Sequence, residues 1–187
     1  MNANVAIVLP LMCHEDEQTA LDRGFEGSQF FGYALGHFYV FGTQQPGVTD
    51  IWSNFKSSTD TGFGDTGSQL SGQDLGDEKA TANAGEDLLR GAIGTPDRVR
   101  EVLSRYEAAG VDQVIFLAQA GRTKHEHICE SLELFARDVM PEFVAREPEH
   151  LAAKEARVGA AIEEAMARKA PPRELDPSYT FSAAGKL

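Results

Sequence analysis

Residues Gly91–Phe143, GAIGTPDRVREVLSRYEAAGVDQVIFLAQAGRTKHEHICESLELFARDVMPEF, decide the fold class, because strand and helix signals alternate along them. Gly91-Ala92-Ile93 reads as a short strand of small residues. Thr95 then caps a helix whose first residue is Pro96, where a missing N–H costs least. Val99, Val102, Leu103 and Tyr106 recur at helical spacing, and Gly110 closes the helix. Val111–Ala118 (VDQVIFLA) follows as a strand. Its second half is apolar on both faces, which predicts a central parallel position. Thr123 and Glu126 predict a T-x-x-E capping box for a last helix carrying Ile128, Leu132, Phe135 and Val139 on one stripe and stopping near Pro141. Strand, helix, strand, helix at this spacing is a βαβα unit of a parallel sheet with a right-handed crossover, so the fold class is α/β.

Upstream, Val5-Ala6-Ile7-Val8-Leu9 is a β-branched run ended by Pro10, which predicts a buried strand over 5–9. Gln18–Phe41 carries seven aromatic residues interrupted by Gly24, Gly27, Gly32 and Gly36. Each glycine weakens a helix by about 1 kcal/mol relative to Ala, which predicts two helical pieces packed closely through their glycines. Thr43–Asp50 (TQQPGVTD) is a turn. Residues 57–87 hold six glycines and seven acids with few apolar anchors, the composition of a disordered segment or of a functional lid. Downstream, Ala, Glu, Arg and Lys from Glu147 to Lys169 predict an exposed or partner-packed helix. Three prolines predict an extended tail over 171–187.

The chain has 187 residues, 42% hydrophobic and 25% charged, enough for one well-buried domain. A net charge of −12 argues against general binding to nucleic acid or anionic membranes. No apolar run reaches the roughly 20 residues of a membrane span. The start MNANVAIVLPLMCHEDEQ lacks a basic region and a small-residue cleavage site, so the expected location is cytoplasmic. The two cysteines, Cys13 and Cys129, form no C-x-x-C pair and predict neither a disulfide framework nor a metal site.

Ligands of parallel α/β sheets bind beyond the carboxyl ends of the strands. After Leu117 comes Ala118-Gln119-Ala120-Gly121-Arg122-Thr123-Lys124-His125-Glu126-His127, an amide, a glycine, two cations and two imidazoles leading into a helix N-terminus. Such a loop suits an anion, and it equally suits a solvated surface turn. After Leu9 stand Met12, Cys13 and His14, with Cys13 reading as a small buried hydrophobe. His37 either lines a pocket with Tyr33 and Trp52 or is a hydrogen-bonded core histidine.

The ordered elements GTPDRV (94–99), YEAAGVD (106–112), QAG (119–121), HE (125–126) and SLELFARDVMPEF (131–143) resemble the carboxyl-terminal end of bacterial luciferase-like, flavin-dependent monooxygenases, with Asp97 where that family usually has Glu. The segment ending PGVTDIWSNF (46–55) is similar to the family's sixth barrel region. The resemblance covers most of residues 1–143 and implies a partial (β/α)8 TIM barrel, the last βα units, followed by a helix and tail over 144–187. Family members are about twice this length, and the half that supplies much of the flavin pocket has no counterpart here.

The resemblance also implies an activity: an oxidoreductase using reduced FMN, or a deazaflavin, with oxygen on a small organic substrate, supplied by a separate flavin reductase. In that reading Gln119, Gly121 and Arg122 line the flavin mouth, and His125 and His37 are the catalytic candidates. Glu126 stands beside His125, Tyr33 and Trp52 face the substrate, and 57–87 is a lid. A half-barrel exposes strand edges, which predicts a homodimer or a complementary half-barrel chain. The alternative is a non-catalytic barrel remnant acting as a subunit or as a flavin-binding protein.

Overall fold

The computed structural model describes residues 4–58, 90–170 and Ser178. The expected lid and most of the extended tail therefore lie outside the described residues, except that Ser57 and Ser58 end a helix. Two compact units divide the chain, Asn4–Arg146 and a second built on Glu147–Leu187. In chain order the elements are β1 (Ala6–Cys13), α1 (Glu17–Gly36), a π-helical turn (His37–Phe41), α2 (Ile51–Ser58), β2 (Ala92–Gly94), α3 (Pro96–Ala108), β3 (Gln113–Leu117), α4 (His125–Asp138) and α5 (Met140–Ala167). The protein is thus mixed α/β with a three-stranded parallel sheet and five α-helices among the described residues. None of these helices is long and apolar enough to cross a membrane.

The strand order is β2-β1-β3, which corrects two expectations. Among the described residues β1 is the central strand and β3 an edge, although the apolar second half of 111–118 reads as a central strand. In addition, β1 does not stop at Pro10. Residues Ala6–Pro10 pair with Gln113–Leu117 of β3, and Leu11–Cys13 pair with Ala92–Gly94 of β2. Proline lacks the donor a ladder needs. Here it falls where pairing passes from one neighbour to the other, so the strand continues through it. Among the described residues β2 and β3 are the outer strands of the sheet.

Alternation along β1 sorts the core into two layers. Leu9, Leu11 and Cys13 pack with Val99, Val102 and Leu103 of α3, Leu134 of α4 and Val139. Met12 and Ile93 point the other way, onto Ala20, Leu21 and Phe25 of α1. The cover on that second face is incomplete among the described residues, since the register partners Val8 and Ile115 remain 52% and 49% exposed.

α3 forms as its sequence dictates. Thr95 Oγ1 accepts from the Arg98 N–H at 3.3 Å, and Pro96 opens the first turn. At the other end Gly110 N–H donates to Glu107 O and Val111 N–H to Tyr106 O, the double bond pattern of a Schellman cap. Helix α1 departs from expectation. It is one continuous 20-residue helix rather than two pieces, capped by Asp16, whose carboxylate accepts from Thr19 N–H. Burial of its apolar face outweighs the propensity deficit of its glycines.

α4 corrects the sequence reading twice. Its N-cap is Lys124, with no side-chain capping bond, because Thr123 Oγ1 donates to Ala120 O at 2.8 Å instead of capping the helix. Its buried face is Ile128, Ser131 and Leu134, with Leu132 43% exposed. The cause lies in β1. Beyond Pro10 that strand has no β3 partner, and Ser131 Oγ accepts the buried Cys13 N–H at 2.7 Å. Arg23 and Glu130, 2.6 Å apart, tie α1 to α4 on the solvent side.

Candidate functional site

The connection from β3 to α4 is shaped by Gly121, whose φ of +59° lies in the left-handed region that favours glycine. The turn it creates lies against two other elements. A Cβ on Gly27 of α1 would sit 2.7 Å from Ala120 O and 2.8 Å from Thr123 Oγ1, so α1 approaches the loop backbone at a residue without a side chain. A Cβ on Gly121 would sit 2.7 Å from the Trp52 ring. The glycines read from sequence as helix weakeners are therefore where α1, α2 and the loop close on one another.

Trp52 is the meeting point. The Arg122 guanidinium lies over its ring, 4.9 Å from the centroid, a cation–π contact. Asp50 adds the opposing charge. Its carboxyl is held below the usual carboxylate range first by the Ser53 hydroxyl and backbone N–H, with a smaller contribution from Arg122. Behind Trp52 runs an aromatic shelf. Phe30 is 4.9 Å and Phe55 5.6 Å from the indole, and Tyr33 reaches Phe55 at 5.7 Å. His37, 6.2 Å from Tyr33, extends the run into the π-helical turn.

Gly121, Arg122 and Trp52 thus come into direct contact, and Tyr33 and His37 share the aromatic run behind them. Gln119 is exposed at the loop's start. His125 is exposed too, with its Nε2 3.5 Å from Cys129 Sγ one turn along α4. His37 is buried. The two catalytic candidates therefore occupy different environments. Among the described residues no three His, Cys, Asp or Glu side chains are grouped to hold a metal ion.

Sequence reasoning missed Gly27, Phe30 and Phe55. The i, i+3 spacing of Phe30–Tyr33 and Trp52–Phe55 was the available signal, since it puts each pair on one helix face. It also missed a groove of about 510 Å³ between α1 and α2, lined among others by Leu21, Phe25, Phe55, Glu26 and Lys56. Phe55 is shared between this groove and the aromatic shelf. The Glu26 and Lys56 side chains form an ion pair there.

An anionic, planar ligand such as FMN needs cations or free N–H groups for its phosphate and an apolar or aromatic surface for its rings. Arg122, Lys124 and the first turn of α4, which no side chain caps, meet the first requirement. The Trp52–Phe30–Phe55 shelf meets the second. No protein-family model matches the chain, and no curated protein matches it.

Proposed function

We propose that this chain is the carboxyl-terminal βα portion of a luciferase-like, flavin-dependent oxidoreductase, a partial (β/α)8 barrel that contributes one wall of a site for FMN or a deazaflavin. The observation that carries this reading is the Arg122 guanidinium stacked on Trp52 in a glycine turn beyond the carboxyl end of a parallel strand. Arg122 and Lys124 hold the phosphate and the aromatic shelf flanks the ring system. Bound flavin supplies the redox chemistry with oxygen on a small organic substrate. The protein's own contribution is to orient that group and exclude water. His125, exposed at the start of α4, is the candidate acid–base group. His37, buried at the start of the π-helical turn, packs beside the Tyr33 ring. The exposed apolar residues Val8 and Ile115 and the outer position of β3 among the described strands suit a second copy or a complementary half-barrel chain.

A second reading, a non-catalytic subunit that binds flavin without turnover, is favoured by the separation of His37 and His125 into a buried and an exposed environment. One titration addresses both. Trp52 is the only tryptophan, so quenching of its emission reports FMN reaching the shelf. Arg122→Ala removes a charge-assisted contact of about 1.5–3 kcal/mol and is expected to weaken FMN binding by roughly ten- to 100-fold. Equal affinity in wild type and variant removes Arg122 from the site, and no quenching at all sinks the flavin reading. Binding without faster turnover of reduced FMN and substrate supports the second reading.

A further inference from the structure

Cys129 and His125 are in contact on α4, and the flavin reading leaves the sulfur without a role. They stand four residues apart on α4, so both side chains share one helix face. Cys129 Sγ lies 3.5 Å from His125 Nε2, within the reach of a sulfur hydrogen bond. The pair is open to reagents, with His125 exposed and Cys129 half-buried. Of the carboxylates around it on α4, Glu130 is tied to Arg23 of α1 at 2.6 Å, while Glu126 and Glu133 stand three residues before and four after Cys129. Cys13 is the opposite case within the same chain. It is 2% exposed in the sheet core, and burial, reinforced by the Asp138 carboxylate and opposed by Arg100, pushes its thiol up to about 11.

We infer that Cys129, with His125 as its proton acceptor, is a reactive thiol that exchanges with low-molecular-weight disulfides. The geometry is the one shared by activated thiols generally: a sulfur whose proton has an imidazole nitrogen to go to, at a surface where an electrophile can approach. The Cys129 S–H proton passes to His125 Nε2, and the sulfur attacks one sulfur of the disulfide. The disulfide's S–S bond breaks as the new one forms, and the departing thiolate leaves with the bonding pair and takes the proton from His125. Cys129 ends oxidised as a mixed disulfide and the small disulfide is reduced to one thiol.

The test is kinetic and uses the whole chain, without flavin. Dithiobis(nitrobenzoate) is added at neutral pH, release of the coloured thiolate is followed, and peptide mass spectrometry assigns the modified cysteine. One fast thiol per chain is expected, at Cys129, with Cys13 modified only as the protein unfolds. Cys129→Ser is expected to abolish the fast phase. His125→Gln keeps a hydrogen-bonding side chain but accepts no proton, and is expected to slow the phase by about tenfold. Protection of Cys13 in the same samples shows that each variant is folded. A His125→Gln rate equal to wild type, or a fast phase that maps to Cys13, overturns the proposal. Because no flavin takes part, failure here leaves the FMN titration untouched, and the reverse holds as well.

Discussion

Gly121→Ala perturbs the loop in two separable ways. The residue holds φ at +59°, where an L side chain costs about 1–2 kcal/mol. Its new Cβ would also lie 2.7 Å from the Trp52 ring, so the indole, held under Arg122 and against Phe30, must move. Overpacking of that kind adds about 1–2 kcal/mol. The expected total is about 3 kcal/mol. Gly47→Ala is the control, because Gly47 also has positive φ, +76°, but a Cβ there meets nothing within 4 Å. It is expected to cost only the backbone part, about 1 kcal/mol. For a chain of this size the two substitutions lower the melting temperature by about 9 °C and about 3 °C. Urea denaturation followed by circular dichroism gives the stabilities, and the emission of the lone Trp52 reports the displacement directly. Equal losses in the two variants, or a Gly121→Ala protein with unshifted emission, would refute the claim that Gly121 is required by its contact with Trp52.

Ser131→Ala leaves the buried Cys13 N–H without its acceptor and is expected to cost about 1–3 kcal/mol. Native-state hydrogen exchange at Cys13 should quicken in step, and unchanged protection would show that the strand end is held by something else. Stability should also fall in alkali through the Cys13 thiol. Its value is 9.0 in the unfolded chain and about 11 in the fold, so the unfolded state gives up its proton first. This contribution is intact below pH 9.0 and lost as pH rises to about 11, up to about 3 kcal/mol in all. Denaturation curves across that window should be flatter for Cys13→Ala than for wild type, and parallel curves would contradict the assignment.

What the chain encodes locally was legible without a structure. α3 needs only Thr95, Pro96 and Gly110, whose capping and helix-ending roles are fixed by the conformations each can adopt. The parallel βα alternation follows from the same kind of signal, and so does the expectation that Gly121 and Arg122 stand where β3 ends. Tertiary structure decided the rest, because the deciding contacts join residues far apart in sequence. Pro10 reads as a strand end by itself, yet β1 passes through it because its ladder changes partner there from β3 to β2. The α4 stripe reads as Ile128, Leu132, Phe135 and Val139, yet a serine is buried while Leu132 faces solvent. The buried N–H of Cys13, 118 residues upstream, takes the Ser131 hydroxyl as its acceptor, and this bond turns the serine inward against the hydrophobic spacing of the helix. Trp52, Gly27 and Gly121 carry no mutual signal in the sequence, since close approach through residues lacking a side chain leaves no periodic trace. Only the packing of α1 and α2 on the β3–α4 loop brought them together.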